Sequence, residues 1–285
     1  MVIALVVSAL VSNGWRYRFS PAVVKVADYA RDQDDSARAC EYQVGRWPGP
    51  GGPCRIGEPG KPATWLVVGD SHAWALANSF SLFLQHRGDA GVFVFSHGCL
   101  PVSGLGGRVC QAFNLDVGKW IAGNQAIHDV VLVSIWRQPI EGNLQGPDGR
   151  YLGDEAALET FQQQFSQTVK SLNDTGRNVY VWEPIPTAKK SVPNTLARNL
   201  AFGLHLRIET NRKEHERIFG FMRTALEANR DRIKGSISPI PAMCPTGDCM
   251  IEQGGAPLFF DNCHSALSRA PFYAEIIEEQ LRGVN

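Results

Sequence analysis

From Thr64 onward the chain alternates short, largely apolar runs with longer stretches in which apolar residues recur every three or four positions. The short runs are Trp65–Val68 (WLVV), Val92–Phe95 (VFVF), Val130–Trp136 (VVLVSIW) and Val179–Trp182 (VYVW). Their β-branched and aromatic make-up predicts buried strands. Helical periodicity follows the first run from Ala73 to about Gln85. Between the third and fourth runs, Asp154–Asn173 is apolar at Ala157, Leu158, Phe161, Phe165, Val169 and Leu172, which predicts an amphipathic helix. Further helices are expected at about 209–230 and 267–282. Strands that are apolar on both faces, separated by helices, pack as parallel neighbours covered on two sides. The expected fold is α/β: a three-layer α/β/α sandwich around a central parallel sheet. Ligands of such sheets bind beyond the carboxyl ends of the strands.

The region before Thr64 reads differently. Met1–Val11 (MVIALVVSALV) carries no charge, but eleven residues fall short of the ~20 a helix needs to cross a bilayer. Trp15, Arg16, Tyr17 and Arg18 follow in the aromatic-basic pattern of a membrane interface. Residues 1–14 are therefore read as the stub of a membrane helix, with a degenerate signal peptide or a buried strand as alternatives. Ser20-Pro21 opens a helix directed toward Arg38, a cap followed by proline at the first position. Residues 45–62, GRWPGPGGPCRIGEPGKP, suit neither helix nor sheet, so 15–62 is expected to be a linker or lid and 63–285 the main domain.

Composition narrows the function. A hydrophobic share of 44% is that of a packed globule. Lys plus Arg and Asp plus Glu are 28 each, so the net charge is zero and nothing draws the chain to nucleic acid. Of seven cysteines, Cys40 and Cys54, Cys99 and Cys110, and Cys244 and Cys249 fall as close pairs in loops rich in glycine or proline, which suggests three staples and an oxidising compartment. Cys263 is left over. The rival is a metal site from Cys244, Cys249, Cys263 and His264, whose spacing differs from common zinc motifs. No metal and no cofactor is expected.

Two tetrapeptides can carry chemistry. The first strand ends in Gly69-Asp70-Ser71-His72, and a helix begins at once. A serine there presents its hydroxyl above the sheet edge, with its own N–H at a positive helix end. Asp70 or Ser71 as a mere helix cap is the plainer alternative. Near the other end, Asp261-Asn262-Cys263-His264 precedes the last helix. A carboxylate three residues before an imidazole can fix its tautomer and stabilise the imidazolium formed when it takes a serine proton.

This pairing resembles the SGNH (GDSL-like) hydrolase family, over about Thr64 to Gly283. The GDSH form, the early cysteine pairs and the extension after a membrane stub resemble one branch in particular. That branch comprises domains fused to the C-terminus of multi-pass membrane acyltransferases that O-acetylate bacterial surface polysaccharides. The resemblance implies Ser71 as nucleophile, Asp261 and His264 completing a triad, and the N–H groups of Ser71 and Gly98 as oxyanion donors. It implies an acetyl donor delivered by a membrane acyltransferase, a polysaccharide acceptor, membrane association through the N-terminal segment, and a periplasmic or extracytoplasmic location. A free-standing carbohydrate acetyl esterase and a silent glycan-binding domain are the alternatives.

The chain departs from the family after the third strand, where a GxN asparagine is usual. Ser134-Ile135-Trp136-Arg137-Gln138 stands there, with Arg137 as the candidate third donor and Asn143 out of register. Cys263 inside the DxxH motif reads as a buried spectator thiol. His72, adjacent to Ser71, is expected to point away from it in a structural role. His97, His128, His205 and His215 have no partner motif. Trp136, Trp182 and Glu183 stand at strand ends, where they line a sugar subsite or pack the sheet edge.

Overall fold

The computed structural model describes residues 16–47 and 53–283. The expected membrane stub at 1–14 lies outside them, and no helix among the described residues is long and apolar enough to cross a membrane. Six strands form the central sheet: β1 (Cys54–Gly57), β2 (Ala63–Gly69), β3 (Ala90–Phe95), β4 (Asp129–Val133), β5 (Asn178–Trp182) and β6 (Ile233–Ile237). Their order is β1-β3-β2-β4-β5-β6. From β3 to β6 all pairings are parallel, while β1 runs antiparallel to β3. The sheet is thus mixed rather than purely parallel. Chain order reverses at β2, which makes its carboxyl end the switch point where ligands of such folds bind.

Successive side chains on a strand point to opposite faces, and the interior strands are apolar on both. Trp65 and Val67 of β2, Val131 and Val133 of β4, and Tyr180 and Trp182 of β5 face one core. Leu66 and Val68, Val130 and Leu132, and Val179 and Val181 face the other. The first core is closed by α2 (Ser71–Arg87) and α9 (Ala270–Leu281), with Phe80, Phe83 and Tyr273 fully buried in it. The second is closed by α3 (Arg108–Gly123), α4 (Asp154–Asp174) and α7 (Gly220–Ala228), through Phe113, Phe161, Phe165 and Met222.

The strand expected to reach Trp136 ends at Val133, because Ser134 and Ile135 turn to bond a carboxylate instead of a neighbouring strand. The helix expected over 209–230 is two, α6 (Arg212–Ile218) and α7, broken at Phe219. The helix opened by Ser20 is α1 (Pro21–Asp28), and Ser20 Oγ accepts from the Val23 N–H. Helix α3, strand β6, helix α5 (Val192–Phe202) and the one-turn helix α8 (Ile240–Met243) lie outside the elements the sequence predicts.

The described parts of the stretch expected as linker or lid, 16–47 and 53–62, pack into the domain. It supplies β1, and Cys40 is disulfide-bonded to Cys54. Helix α1 buries Val23 and Val26 against Ala197 of α5. Asp34 accepts from Trp74 Nε1 through its carbonyl and from Asn78 Nδ2 through its carboxylate, each at 2.8 Å. Asp32 accepts from the Leu267 N–H at 2.8 Å and the Ser268 hydroxyl at 2.5 Å. One short arm therefore holds α2 on one side and the segment leading into α9 on the other. The remaining pairs are also disulfides, Cys99 to Cys110 and Cys244 to Cys249, and Cys263 is a buried free thiol.

Candidate active site

Gly69 closes β2 against β4. A Cβ there would lie 1.7 Å from the Val133 carbonyl oxygen, so no other residue fits without parting the strands. Asp70 follows, almost wholly buried, and its carboxylate accepts three hydrogen bonds: His72 N–H (2.8 Å), Ser134 Oγ–H (2.6 Å) and Ile135 N–H (3.0 Å). The first caps α2, and the other two bind the turn after β4. Burial raises the Asp70 carboxyl above the usual carboxylate range, against the pull of these three donors. Ser71 opens α2, half-buried, with its N–H among the donors a helix leaves without an internal partner.

The turn before α9 brings the second tetrapeptide to the same place. Asp261 Oδ1 accepts from the backbone N–H groups of Cys263 and His264, both at 2.8 Å. Oδ2 lies 2.7 Å from His264 Nδ1, and His264 Nε2 lies 2.7 Å from Ser71 Oγ. Neighbours pin the turn: Ser265 Oγ donates to the Ala75 carbonyl on α2, and the N–H groups of Ala188 and Val192 donate to the carbonyls of Asn262 and Asp261. Burial alone would push His264 down, but the Asp261 carboxylate, with the Cys263 sulfur, overrides it and holds the imidazole up at about 10. Burial likewise pushes Asp261 up, and the His264 ring with the two backbone donors brings it down to about 2.

The other expected residues divide. Gly98 lies in the exposed turn after β3 with φ +67°, a backbone glycine tolerates. That turn is brought beside β2 by the Ser96 N–H, which donates to the Gly69 carbonyl at 3.0 Å. Gln138, a residue the motif reading passed over, reaches across from the loop after β4 and donates its side-chain amide to the Gly98 carbonyl. Arg137 Nε lies 2.9 Å from Glu141 Oε1. Trp136 and Trp182 are fully buried and line no sugar subsite. Trp136 Nε1 donates to the Trp182 carbonyl at 2.7 Å. Glu183 instead borders a cleft of about 530 Å³ beyond β5 and β6, shared with Arg212, His215, Glu216 and Arg223.

His72 does not turn away. Its ring is buried and packs against the His264 ring, centroids 4.6 Å apart, while Phe260 stacks on His264 at 5.4 Å. Burial, then the positive His264 and Arg137, hold His72 well below its usual value, so it is neutral. The four-residue metal set is overturned, because Cys244 and Cys249 spend their sulfurs on each other.

Residues 39–279 match the family model described as the SGNH domain fused to AT3 domains. The chain belongs to this family. Among solved structures it is similar to the periplasmic domain of the lipopolysaccharide acetyltransferase of Salmonella ser. Paratyphi A. That match has 16% identity over 93% of this chain and 97% of the other, with a TM-score of 0.61. It is also similar to TesA, with 14% identity over 78% of this chain and 99% of the other, and a TM-score of 0.46. No curated protein sequence matches it.

Proposed function

We propose that this SGNH domain moves an acetyl group to a cell-surface polysaccharide through an acyl-enzyme on Ser71, with His264 as base and Asp261 as its orienting carboxylate. The observation that carries the reading is the unbroken line from Asp261 Oδ2 through both ring nitrogens of His264 to Ser71 Oγ, with both contacts at 2.7 Å. His264 Nε2, once it has given up its own proton to solvent, takes the Ser71 proton as Oγ attacks the acetyl carbonyl carbon. The oxyanion is received by the N–H groups of Ser71 and Gly98, with the terminal nitrogens of Arg137 as third donor. Collapse expels the donor's oxygen, which takes the proton from His264. A sugar hydroxyl then gives its proton to His264 and attacks the acyl-enzyme, restoring Ser71.

Fusion to AT3 domains in the family supports a membrane acyltransferase as the source of acetyl. Three disulfides support an extracytoplasmic site of action. The acetyl esterase reading differs only in the acceptor, water in place of sugar. A generic acetyl ester, incubated with and without surface polysaccharide, separates the two. Transfer predicts that polysaccharide diverts acetyl from free acetate to glycan, whereas acetate release indifferent to glycan means hydrolysis. Fluorophosphonate labelling lost in Ser71→Ala is expected for an activated serine, and a wild-type protein that resists the probe is a silent domain.

A further inference from the structure

The buried wall behind His264 holds two groups that the proposed chemistry does not use. His72 is 2% exposed, and its Nε2 has no hydrogen-bond partner, an uncommon state for a buried ring nitrogen. Cys263, 6% exposed, is the free thiol, and its sulfur lies 3.7 Å from His264 Nδ1. One ligand atom from each of His72, Cys263 and His264 can be chosen so that all three lie within 4.8 Å of one another. Two imidazoles and a thiol are the ligand set of borderline and soft divalent ions, zinc foremost. Zinc bonds of about 2.3 Å to sulfur and about 2.0–2.1 Å to nitrogen put tetrahedral ligand atoms roughly 3.5 Å apart, so side-chain rotations of about 1 Å suffice. His264 keeps 20% of its side chain exposed, which gives an ion a way in.

We propose that His72, Cys263 and His264 form an inhibitory site for a thiophilic divalent cation such as zinc, which captures the histidine that would otherwise serve Ser71. Binding forms one metal–sulfur and two metal–nitrogen bonds and releases the Cys263 thiol proton and the His264 imidazolium proton to solvent, with no change of oxidation state. Whichever nitrogen of His264 the ion takes, either the Asp261 or the Ser71 contact is lost. The cation is thus a brake and plays no part in the acyl transfer. This inference rests on His264 being the base only for its inhibitory consequence, since the binding itself does not depend on that role.

The disulfide-intact protein is titrated with Co²⁺ and, separately, with Zn²⁺ in the absence of thiol reductants. Cobalt bound at this site gives a thiolate-to-metal charge-transfer band that is absent from Cys263→Ala and Cys263→Ser, and zinc abolishes that band in the wild type. Zinc also blocks fluorophosphonate labelling of Ser71 in the wild type. The half-blocking concentration, read against each protein's own metal-free labelling, rises by about tenfold or more in the two cysteine variants. A cobalt spectrum without a thiolate band overturns the site, as does labelling equally zinc-sensitive in Cys263→Ala. Absence of labelling without metal would instead sink the serine mechanism, while the cobalt spectrum still reports on the site.

Discussion

At the scale of single residues, Asp261 divides its carboxylate between two tasks. Oδ1 holds the turn through two backbone N–H groups and Oδ2 meets the His264 ring. Replacing it by asparagine separates them, because an amide oxygen still accepts from the backbone while its nitrogen cannot accept the Nδ1 proton. Asp261→Asn is therefore expected to keep the fold and near-wild-type thermal stability but to lower kcat for acetyl transfer by roughly 10³–10⁴-fold, with KM little changed. A loss of less than about tenfold would remove Asp261 from the chemistry. Asp70 has no such double role. Buried and spent on three donors, it is the post on which the Ser71 turn and the loop after β4 both hang.

At the scale of elements, the site depends on how closely β2 and β4 approach. Gly69 makes that approach possible, and the Asp70 N–H continues the ladder to the Val133 carbonyl at 3.2 Å. Gly69→Ala is expected to part the two strand ends, costing about 1–3 kcal/mol of stability in urea unfolding. It should also lower kcat/KM by up to about 10²-fold, because a shift of about 1 Å at Ser71 misaligns the attack. Full activity in that variant would show that strand closure does not position the serine. The arm before β2 acts at the same scale. Through Asp32 and Asp34 it links helix α2, which Ser71 opens, to the segment after His264, two elements nearly two hundred residues apart in the chain. Trp136 shows the cost of the turn after β4. It is the one non-glycine residue among those described with positive φ (+58°), held there by full burial and the bond to Trp182.

At the scale of the whole molecule, buried neutral histidines set an acid limit on stability. His215 on α6 is 5% exposed and packs on Phe219, and burial pushes it down to about 4 from 6.5 despite Glu216 beside it. Between those values the unfolded chain binds a proton that the folded chain refuses, so stability falls as pH drops from 6.5 to 4. The slope from this one group reaches at most about 1.4 kcal/mol per pH unit. His72, buried and also held low, acts in the same direction. Urea unfolding across that window should show the loss in wild type and a shallower one in His215→Gln; equal slopes would mean that His215 is not excluded from protonation.

Much of this protein can be read from its residues alone. Apolar runs at β2, β3, β4 and β5 specify strands, because only a sheet covered on both sides shelters consecutive branched side chains. A serine at a strand–helix junction and an aspartate three residues before a histidine mark the candidate site locally, since both placements are set by short-range backbone geometry. Other features were decided only by distant contacts. The antiparallel edge strand β1 is four residues (CRIG) without an apolar run, and it exists because β3 offers it an open hydrogen-bonding edge. Whether the tryptophans at the strand ends face sugar or core was settled by helix α4 packing over Trp136 and helices α2 and α9 over Trp182. His72 was placed against His264 by the meeting of α2 with a turn 192 residues away, and no local pattern encodes that encounter. Short-range order is written in each segment's own side chains, whereas proximity between segments is the outcome of burying all of them at once.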